Sequence, residues 1–374
     1  MIPFNKVYST GKELNYIAET VNAGKLSGNG KFTKLCQTFF EEKYGFKKTL
    51  LTTSCTDALE MCAMLANISI NDEVIMPSYT FVSTALPFIR QGAKVVFADS
   101  YNDNPNIDAK TIEALITPKT KAIVVVHYAG IACDMDTIMH LATKHNLIVI
   151  EDAAQAIDSF YTGKDGVKKP LGSIGHLAAF SFHETKNIVS GEGGLLAIND
   201  DRFVKRSEII WEKGTNRAEF FRGEVNKYGW VDTGSSFLAS ELIAAFLWAQ
   251  LENLDHIQEK RKLLWNTYYN AFKEKGITEI QLPVIPDYAT NNGHMFFIIA
   301  QKLEHRNTII ETLKTNGFHS VFHYLSLHSS DYYKEKHDGR VLNNSDKFTD
   351  CLLRLPMFYD LKTSDIEELV TKCF

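Results

Sequence analysis

Between Lys48 and Ile198 the chain repeats one pattern: a short apolar run rich in β-branched residues, a turn, then a stretch with helical spacing. The runs are K-T-L-L-T-T, E-V-I-M-P, K-V-V-F-A-D, K-A-I-V-V-V-H, L-I-V-I-E-D, A-A-F-S-F and G-G-L-L-A-I. They lack the apolar/polar alternation of a sheet with one wet face, which is how strands covered on both sides read. The pattern predicts an α/β fold: a mainly parallel sheet sandwiched by helices. Asp57 to Ala66 and Met135 to His145 are the clearest helices.

With 374 residues, 45% of them hydrophobic, the chain exceeds the roughly 250–300 residues at which single cores stop growing. The expected division is a large domain over residues 1–253 and a smaller one over 254–374, where helical and strand patterns alternate less regularly and suggest an α+β unit packed beside the sheet. A formal charge of −5 gives no general attraction to nucleic acid or to an anionic membrane, so any anion site is local. No apolar run approaches the roughly 20 residues that span a bilayer. Six cysteines (Cys36, Cys55, Cys62, Cys133, Cys351, Cys373) show neither redox nor zinc spacing. The opening M-I-P-F-N-K-V-Y has no basic stretch followed by an apolar one. A cytoplasmic protein is expected.

In parallel sheets, ligands bind beyond the carboxyl ends of the strands. That rule brings Thr52 to Asp57, Ser78 to Phe81, His127, Asp152 and Ser181 to Lys186 to one edge. The turn T-T-S-C-T-D-A-L-E enters a helix, where hydroxyls and free backbone N–H groups suit a phosphate, although a plain N-cap reads the same way. Asp152 follows four apolar residues, and a carboxylate there needs a cation or hydrogen bonds. A protonated pyridine nitrogen is such a cation; an N-cap for a following helix A-A-Q-A-I is the alternative. Gln155 either contacts a phenolic oxygen or faces solvent. Phe81 is placed to stack on a flat ring, with Tyr79 as its competitor. Lys186 lies in S-F-H-E-T-K-N-I-V-S-G-E-G-G, whose glycines allow sharp turns. A desolvated lysine amine forms a Schiff base with an aldehyde, and a carboxylate opposite keeps a pyridine protonated, so the pair points to pyridoxal phosphate, PLP.

Two further stretches are notable. N-R-A-E-F-F-R-G-E-V-N-K-Y-G-W offers Arg217, Arg222, Lys227, Tyr228 and Trp230 for a nucleotide diphosphate and its base. H-S-V-F-H-Y-L-S-L-H gathers His319, His323, Tyr324 and His328. The spacing is not H-E-x-x-H and no carboxylate accompanies it, so no metal is expected. No G-x-G-x-x-G or Walker loop supports NAD or ATP.

The segments T-S-C-T-D-A-L, P-S-Y-T-F-V-S-T-A, E-D-A-A-Q-A and S-F-H-E-T-K-N-x-x-S-G-E-G-G resemble those of the DegT/StrS sugar-nucleotide aminotransferases, within the aspartate-aminotransferase fold, PLP fold type I. The resemblance runs on through E-K-G-T-N-R near Lys213, the helix after Glu241, H-M-F at His294 and L-R-L-P-M-F at Arg354. It implies that Thr56, Asp57 and Ser181 hold the cofactor phosphate, Phe81 stacks on its ring, Asp152 pairs its pyridinium, Gln155 meets its phenolic oxygen and Lys186 carries it. It also implies a homodimer with shared sites, in which Ser236 stands where many relatives place an asparagine on the partner's phosphate. His183, Arg222, Trp230, His323 and Tyr324 are the implied substrate contacts.

The implied reaction moves the amino group of glutamate, through PLP and pyridoxamine phosphate (PMP), to a dTDP-4-keto-6-deoxyhexose, with 2-oxoglutarate as by-product. The likeness is greatest to members that act on dTDP-4-keto-6-deoxyglucose and give the 4-amino-4,6-dideoxygalactose product. Amination at C3 of the sugar is one rival. A non-catalytic regulator that kept the fold is another, against which the presence of Lys186 argues.

Overall fold

The computed structural model describes residues 1–374. Helices α1 (Glu13–Asn22) and α2 (Lys31–Tyr44) lead into β1 (Lys48–Thr52), and α3 (Cys55–Leu65), β2 (Glu73–Pro77), α4 (Val82–Arg90) and β3 (Lys94–Ala98) follow. Then come α5 (Ala109–Ile112), β4 (Thr120–Val126), α6 (Met135–His145), β5 (Ile148–Asp152), the hairpin β6 (Phe160–Thr162) and β7 (Lys168–Pro170), β8 (Leu177–Ser181) and β9 (Gly194–Ile198). Seven of these strands form one sheet in the order β1-β9-β8-β5-β4-β2-β3. Only β9 runs against the rest, pairing antiparallel with β8 and β1. Its first residue, Gly194, therefore lies opposite Thr52 and Ser181, at the edge where the parallel strands end.

Each apolar run fills both faces of this sheet. Ile123, Val125, Val149, Ala178 and Phe180 enter the core on one side, with α2 and α6. Ala122, Val124, Ile150, Leu177 and Ala179 enter the other, with α3. Burial of a Val, Leu or Ile side chain stabilises by roughly 1.5–3 kcal/mol, so a polar residue inside a run must have a partner.

After β9 come α7 (Asp201–Trp211), α8 (Arg217–Phe221) and α9 (Glu241–Leu251), then the long α10 (Leu254–Lys275). A second, antiparallel sheet follows, ordered β10 (Ile280–Gln281), β11 (Phe297–Ala300), β13 (Leu352–Arg354), β12 (Val321–Phe322), with α11 (Leu303–Thr315), α12 (Asn343–Cys351) and α13 (Thr363–Cys373). Its core is aromatic, with Tyr268, Phe272 and Phe296 stacked together. The first residues join this unit: Ile2 bridges to Phe318, and Met357 N donates to Phe4 O at 3.2 Å. A layer containing Tyr79, Tyr128, Phe297 and Phe348 seals the sheet edge against the second unit.

Two local expectations change. The helix expected from Asp57, α3, begins at Cys55, because the Ser54 hydroxyl caps it by accepting from Asp57 N at 3.1 Å. A-A-Q-A-I is a turn and not a helix. Asn292 Nδ2 donates to the carbonyls of Gln155 and Ile157 (2.8 and 2.9 Å), and Asp158 adopts φ 58° before β6. No helix is long and apolar enough to cross a membrane.

Candidate active site

Asp152 ends β5 and is buried. Its Oδ2 accepts from the Thr84 hydroxyl of α4 at 2.7 Å, and Thr84 is bonded in turn to Thr80, ahead of that helix, at 2.8 Å. Its Oδ1 accepts from Ala154 N at 3.2 Å. Burial pushes its pKa up, and outweighs the Thr84 and Ala154 hydrogen bonds and the positive potential of Lys186. Such a carboxylate would be relieved by a cation placed against it. Thr84 escaped the sequence reading; its signal was the i, i+4 pair of threonines, Thr80 and Thr84, on either side of Phe81.

His127 has another task. Its Nδ1 accepts from Cys133 N at 3.2 Å, so its Nε2–H donates to Glu151 at 2.8 Å. Glu151 also accepts from Gly172 N (2.7 Å) and Ile174 N (2.8 Å), on the face of β5 opposite Asp152. The imidazole thus ties the end of β4 to Glu151 of β5, which holds the loop before β8, and only the His127 backbone N–H, donating to Asp152 O at 3.2 Å, serves the edge.

Lys186 sits in the loop joining β8 to β9, closed by Phe182 N donating to Gly193 O and Ser190 N to Phe182 O, both 2.8 Å. The next residue anchors that loop: Asn187 donates to Gln258 Oε1 (2.8 Å) and Asn292 O (3.0 Å), and its Oδ1 lies 2.8 Å from His294 Nδ1. The Lys186 side chain is half-buried, and burial is the main cause that lowers its pKa; Arg354 lowers it further against the opposing pull of Cys55 and Asp152. An amine so placed is unprotonated more often than a surface lysine, which makes it a nucleophile and a base.

The glycine of this loop that matters most is Gly194. A Cβ there would lie 2.3 Å from the Ser54 carbonyl and 2.4 Å from Cys55 N, so the N-terminus of α3 rests directly on its backbone. In that turn Thr52 donates to Ser54 O at 2.7 Å, the Thr53 hydroxyl donates to Asp57, and Thr56 donates to Ser83 at 2.9 Å. Across the edge, Ser181 accepts from His183 N at 3.4 Å.

Of the two competing aromatics, Tyr79 is core, its hydroxyl donating to His323 O at 2.7 Å, whereas Phe81 opens α4 and is 54% exposed. Gln155 does not face solvent: it is buried, accepting from Ala129 N at 2.6 Å and donating to the Tyr324 hydroxyl at 2.9 Å. Tyr324 holds φ 41° and stacks on His323 at 3.5 Å, with Phe81 6.0 Å away.

Other expected contacts stand apart within the single chain. Arg222 is engaged by Glu208 (2.8 Å) and Glu224 (2.7 Å). Trp230, 84% exposed, donates to Asp232 O at 2.7 Å. Ser236 is exposed beside Phe237, whose carbonyl accepts from Thr53 N at 3.1 Å. His183 is half-exposed, bonded to the Thr185 hydroxyl at 3.0 Å. The three histidines separate: His319 is exposed, His323 is bonded to the Tyr128 hydroxyl at 2.7 Å, and His328 to Ser78 at 2.8 Å. A carboxylate does accompany one of them, since α12 brings Asp346 to 3.5 Å from His328.

Comparison with known families matches residues 8–374 to the DegT/DnrJ/EryC1/StrS aminotransferase family. The chain belongs to this family. The spore coat polysaccharide biosynthesis protein SpsC of Bacillus subtilis (strain 168) is 30% identical over 99% of this chain and 95% of its own. PseC of Helicobacter pylori, an aminotransferase involved in pseudoaminic acid biosynthesis, superposes with a TM-score of 0.89 at 26% identity, covering 100% of this chain and 99% of its own. DesV of S. venezuelae, solved with a ketimine intermediate, gives 0.89 at 27%, covering 99% and 97%. Like the family, this chain is a PLP-dependent sugar aminotransferase on an α/β fold. Its edge fits the cofactor: a buried carboxylate short of a cation, a half-buried amine of lowered pKa and an exposed aromatic ring share one end of one sheet.

Proposed function

We propose that the enzyme transfers the amino group of glutamate to dTDP-4-keto-6-deoxyglucose, yielding 2-oxoglutarate and dTDP-4-amino-4,6-dideoxygalactose. The observation that carries the reading is the pairing of Lys186, an amine half-removed from water, with Asp152, a buried acid, at one sheet edge. PLP, when bound, supplies an aldehyde and an electron-accepting ring. Asp152, steadied by Thr84, keeps the ring nitrogen protonated, and Phe81 and Gln155 fix the ring. The α3 N-terminus, through Thr56 and Asp57, and Ser181 across from it hold the phosphate while Lys186 is free. The freed Lys186 amine takes the proton from the donor's α-carbon, and in the second half delivers one to C4 of the sugar.

The choice of sugar rests on the likeness of S-F-H-E-T-K-N and of G-S-S, residues 234–236, to enzymes that make the galacto product. Kinship with a spore coat polysaccharide protein and with a pseudoaminic acid enzyme favours an amino sugar bound for a surface glycan. We place the reaction in the cytoplasm. We also assign the active form to a homodimer, in which Ser236, His183 and the loop of Arg222 and Trp230 complete the site with His323 and Tyr324. Exposure of Phe221 (70%) and Trp230 (84%) supports that reading.

A panel of keto-sugar nucleotides with glutamate, scored by product NMR, tests the assignment; a 3-amino product would move the chemistry one carbon, and no amino sugar from any substrate would end it. Borohydride is expected to fix the cofactor to Lys186, and Lys186→Ala to abolish transfer. Turnover by that variant at the normal rate would exclude the mechanism.

A further inference from the structure

The sheet has a second edge, where its parallel strands begin, and a cavity of about 610 Å³ opens there. Its walls are the ends of α3 and α6, the first half of α7 and the starts of β4, β5 and β8. The other ends of α3, β5 and β8 carry Thr56, Asp152 and Ser181, so elements about 16 Å long separate the cavity from the cofactor edge. The protein has a net charge of −5, yet every ionised side chain lining this cavity is a cation: Lys121, Arg202 and Arg206. Lys121 is exposed and has no carboxylate partner. The two arginines are held by carboxylates from outside the cavity. Arg202 donates to Asp200 through Nε (2.8 Å) and Nη2 (2.5 Å), and Arg206 to Asp232 through Nε (2.7 Å) and to Asn67 Oδ1 through Nη1 (2.6 Å). Arg202 Nη1 and Arg206 Nη2 are left over. His176 adds a neutral donor, since burial lowers its pKa and its Nδ1 accepts from Val149 N at 2.9 Å; the proton sits on Nε2, which has no acceptor in the protein.

Three cations and a spare N–H facing one space call for an anion. The volume lies within the roughly 300–1,000 Å³ of small-molecule sites, so the anion has a body as well as a charge. Part of that body is apolar, because Leu65, Ala142, Leu147 and Ile148 also line the cavity. Part of it is polar. Asn67 and Asn146 stand at the ends of α3 and α6 in left-handed backbone, both at φ 52°, and the Asn146 amide makes no hydrogen bond within the chain. We propose that this cavity is a second ligand site, which takes the phosphates of a nucleoside diphosphate on Lys121, Arg202 and Arg206 and its base between the apolar wall and the amides of Asn67 and Asn146. A flat heterocycle with donors and acceptors on its rim uses both kinds of lining. A fatty acid would leave the amides unmet, and inorganic phosphate would leave the wall unmet. A free nucleotide and a nucleotide sugar share this chemistry. The inference goes beyond the transfer reaction and stands whichever sugar is aminated.

The test titrates the PLP-loaded enzyme by calorimetry with dTDP, UDP, dTDP-glucose and pyrophosphate, and compares the wild type with Lys121→Glu and Thr143→Trp. Thr143 lines the cavity, is exposed, and donates to Met139 O at 2.9 Å, so a bulky ring there fills the space from outside the core. The wild type is expected to show one nucleotide-binding event per chain that each variant weakens by about 10-fold or more, while kcat and KM of the keto-sugar reaction keep their wild-type values. Pyrophosphate should bind that site about 10-fold more weakly than dTDP or UDP, for it cannot use the wall. Tighter binding of dTDP than of dTDP-glucose would name the free nucleotide as occupant, and the reverse order the nucleotide sugar. Equal numbers of nucleotide sites with equal affinities in all three proteins overturn the assignment, as does pyrophosphate that binds as tightly as the nucleotides. A Lys121→Glu variant whose lost event comes with a raised KM for the keto sugar also overturns it, because the event then belongs to the cofactor edge. If one variant does not fold, the other decides. A wrong sugar in the transfer reaction would leave these titrations unchanged.

Discussion

Asp152 sets catalysis against stability in one side chain. Its folded pKa is raised, so the stability it contributes is present below the unfolded value and is lost as pH rises through the folded one. At neutral pH the ionised group is therefore a burden on the protein until a pyridinium covers it. Asp152→Asn is expected to slow the donor half-reaction by about 100-fold or more, yet to raise the Tm of the cofactor-free protein near pH 7. Calorimetry of the stripped variant checks the second half, and a lower Tm would show that the carboxylate's hydrogen bonds outweigh its burial. The places of Asp152 and Lys186 at the sheet edge were legible in the sequence because one ends a strand and the other lies in the loop after one, and the strand-end rule needs no side-chain contacts. Thr84 was not: its meaning comes from a partner on another element, and no local pattern carries that.

At the scale of elements, the loop of Lys186 and the phosphate turn are held together by an absence. Gly194→Ala would drive a methyl group into the carbonyl of Ser54, so α3 would have to withdraw from β9. A loss of about 1–3 kcal/mol is expected, with weaker cofactor retention on dialysis; urea unfolding and the absorbance of the dialysed protein measure the two, and unchanged retention would separate the turn from the cofactor. The sheet was readable since every run is apolar on both faces. The helix weighed as the alternative after Asp152 does not form, because Asn292, from outside the sheet, takes the carbonyls a helix would use. His127 was placed by the same rule that found Asp152, yet its ring turns to Glu151, since period-two alternation sends neighbouring side chains to opposite faces.

For the whole molecule, the seam between the two units carries His294 and His323, both pushed well below 6.5 chiefly by burial. Below about pH 6.5 the unfolded chain takes up protons that the folded one refuses, so their stabilising effect is full above that pH and fades as pH falls. Two such groups give a slope of about 2.7 kcal/mol per pH unit. Urea unfolding at several pH values between 7 and 5 should show it, His323→Gln should halve it, and a flat profile would mean that the seam admits water. That a smaller sheet with helices follows the large one could be anticipated from pattern; the seam could not, as Tyr79, Tyr128, Phe297 and Phe348 are far apart in the chain.

The crossing of residues 2–5 into the second unit has a consequence for biosynthesis. Ile2 waits for Phe318, Phe4 for Met357 and the Arg354 guanidinium, and Asn5 reaches Glu184 O at 3.1 Å on the loop of Lys186. On the ribosome, the large sheet has all its strands long before those later partners emerge. The pocket around the reactive amine therefore takes its final form only after residues 354–357 have emerged, and a nascent chain stalled before residue 354 would carry the lysine without its finished surroundings.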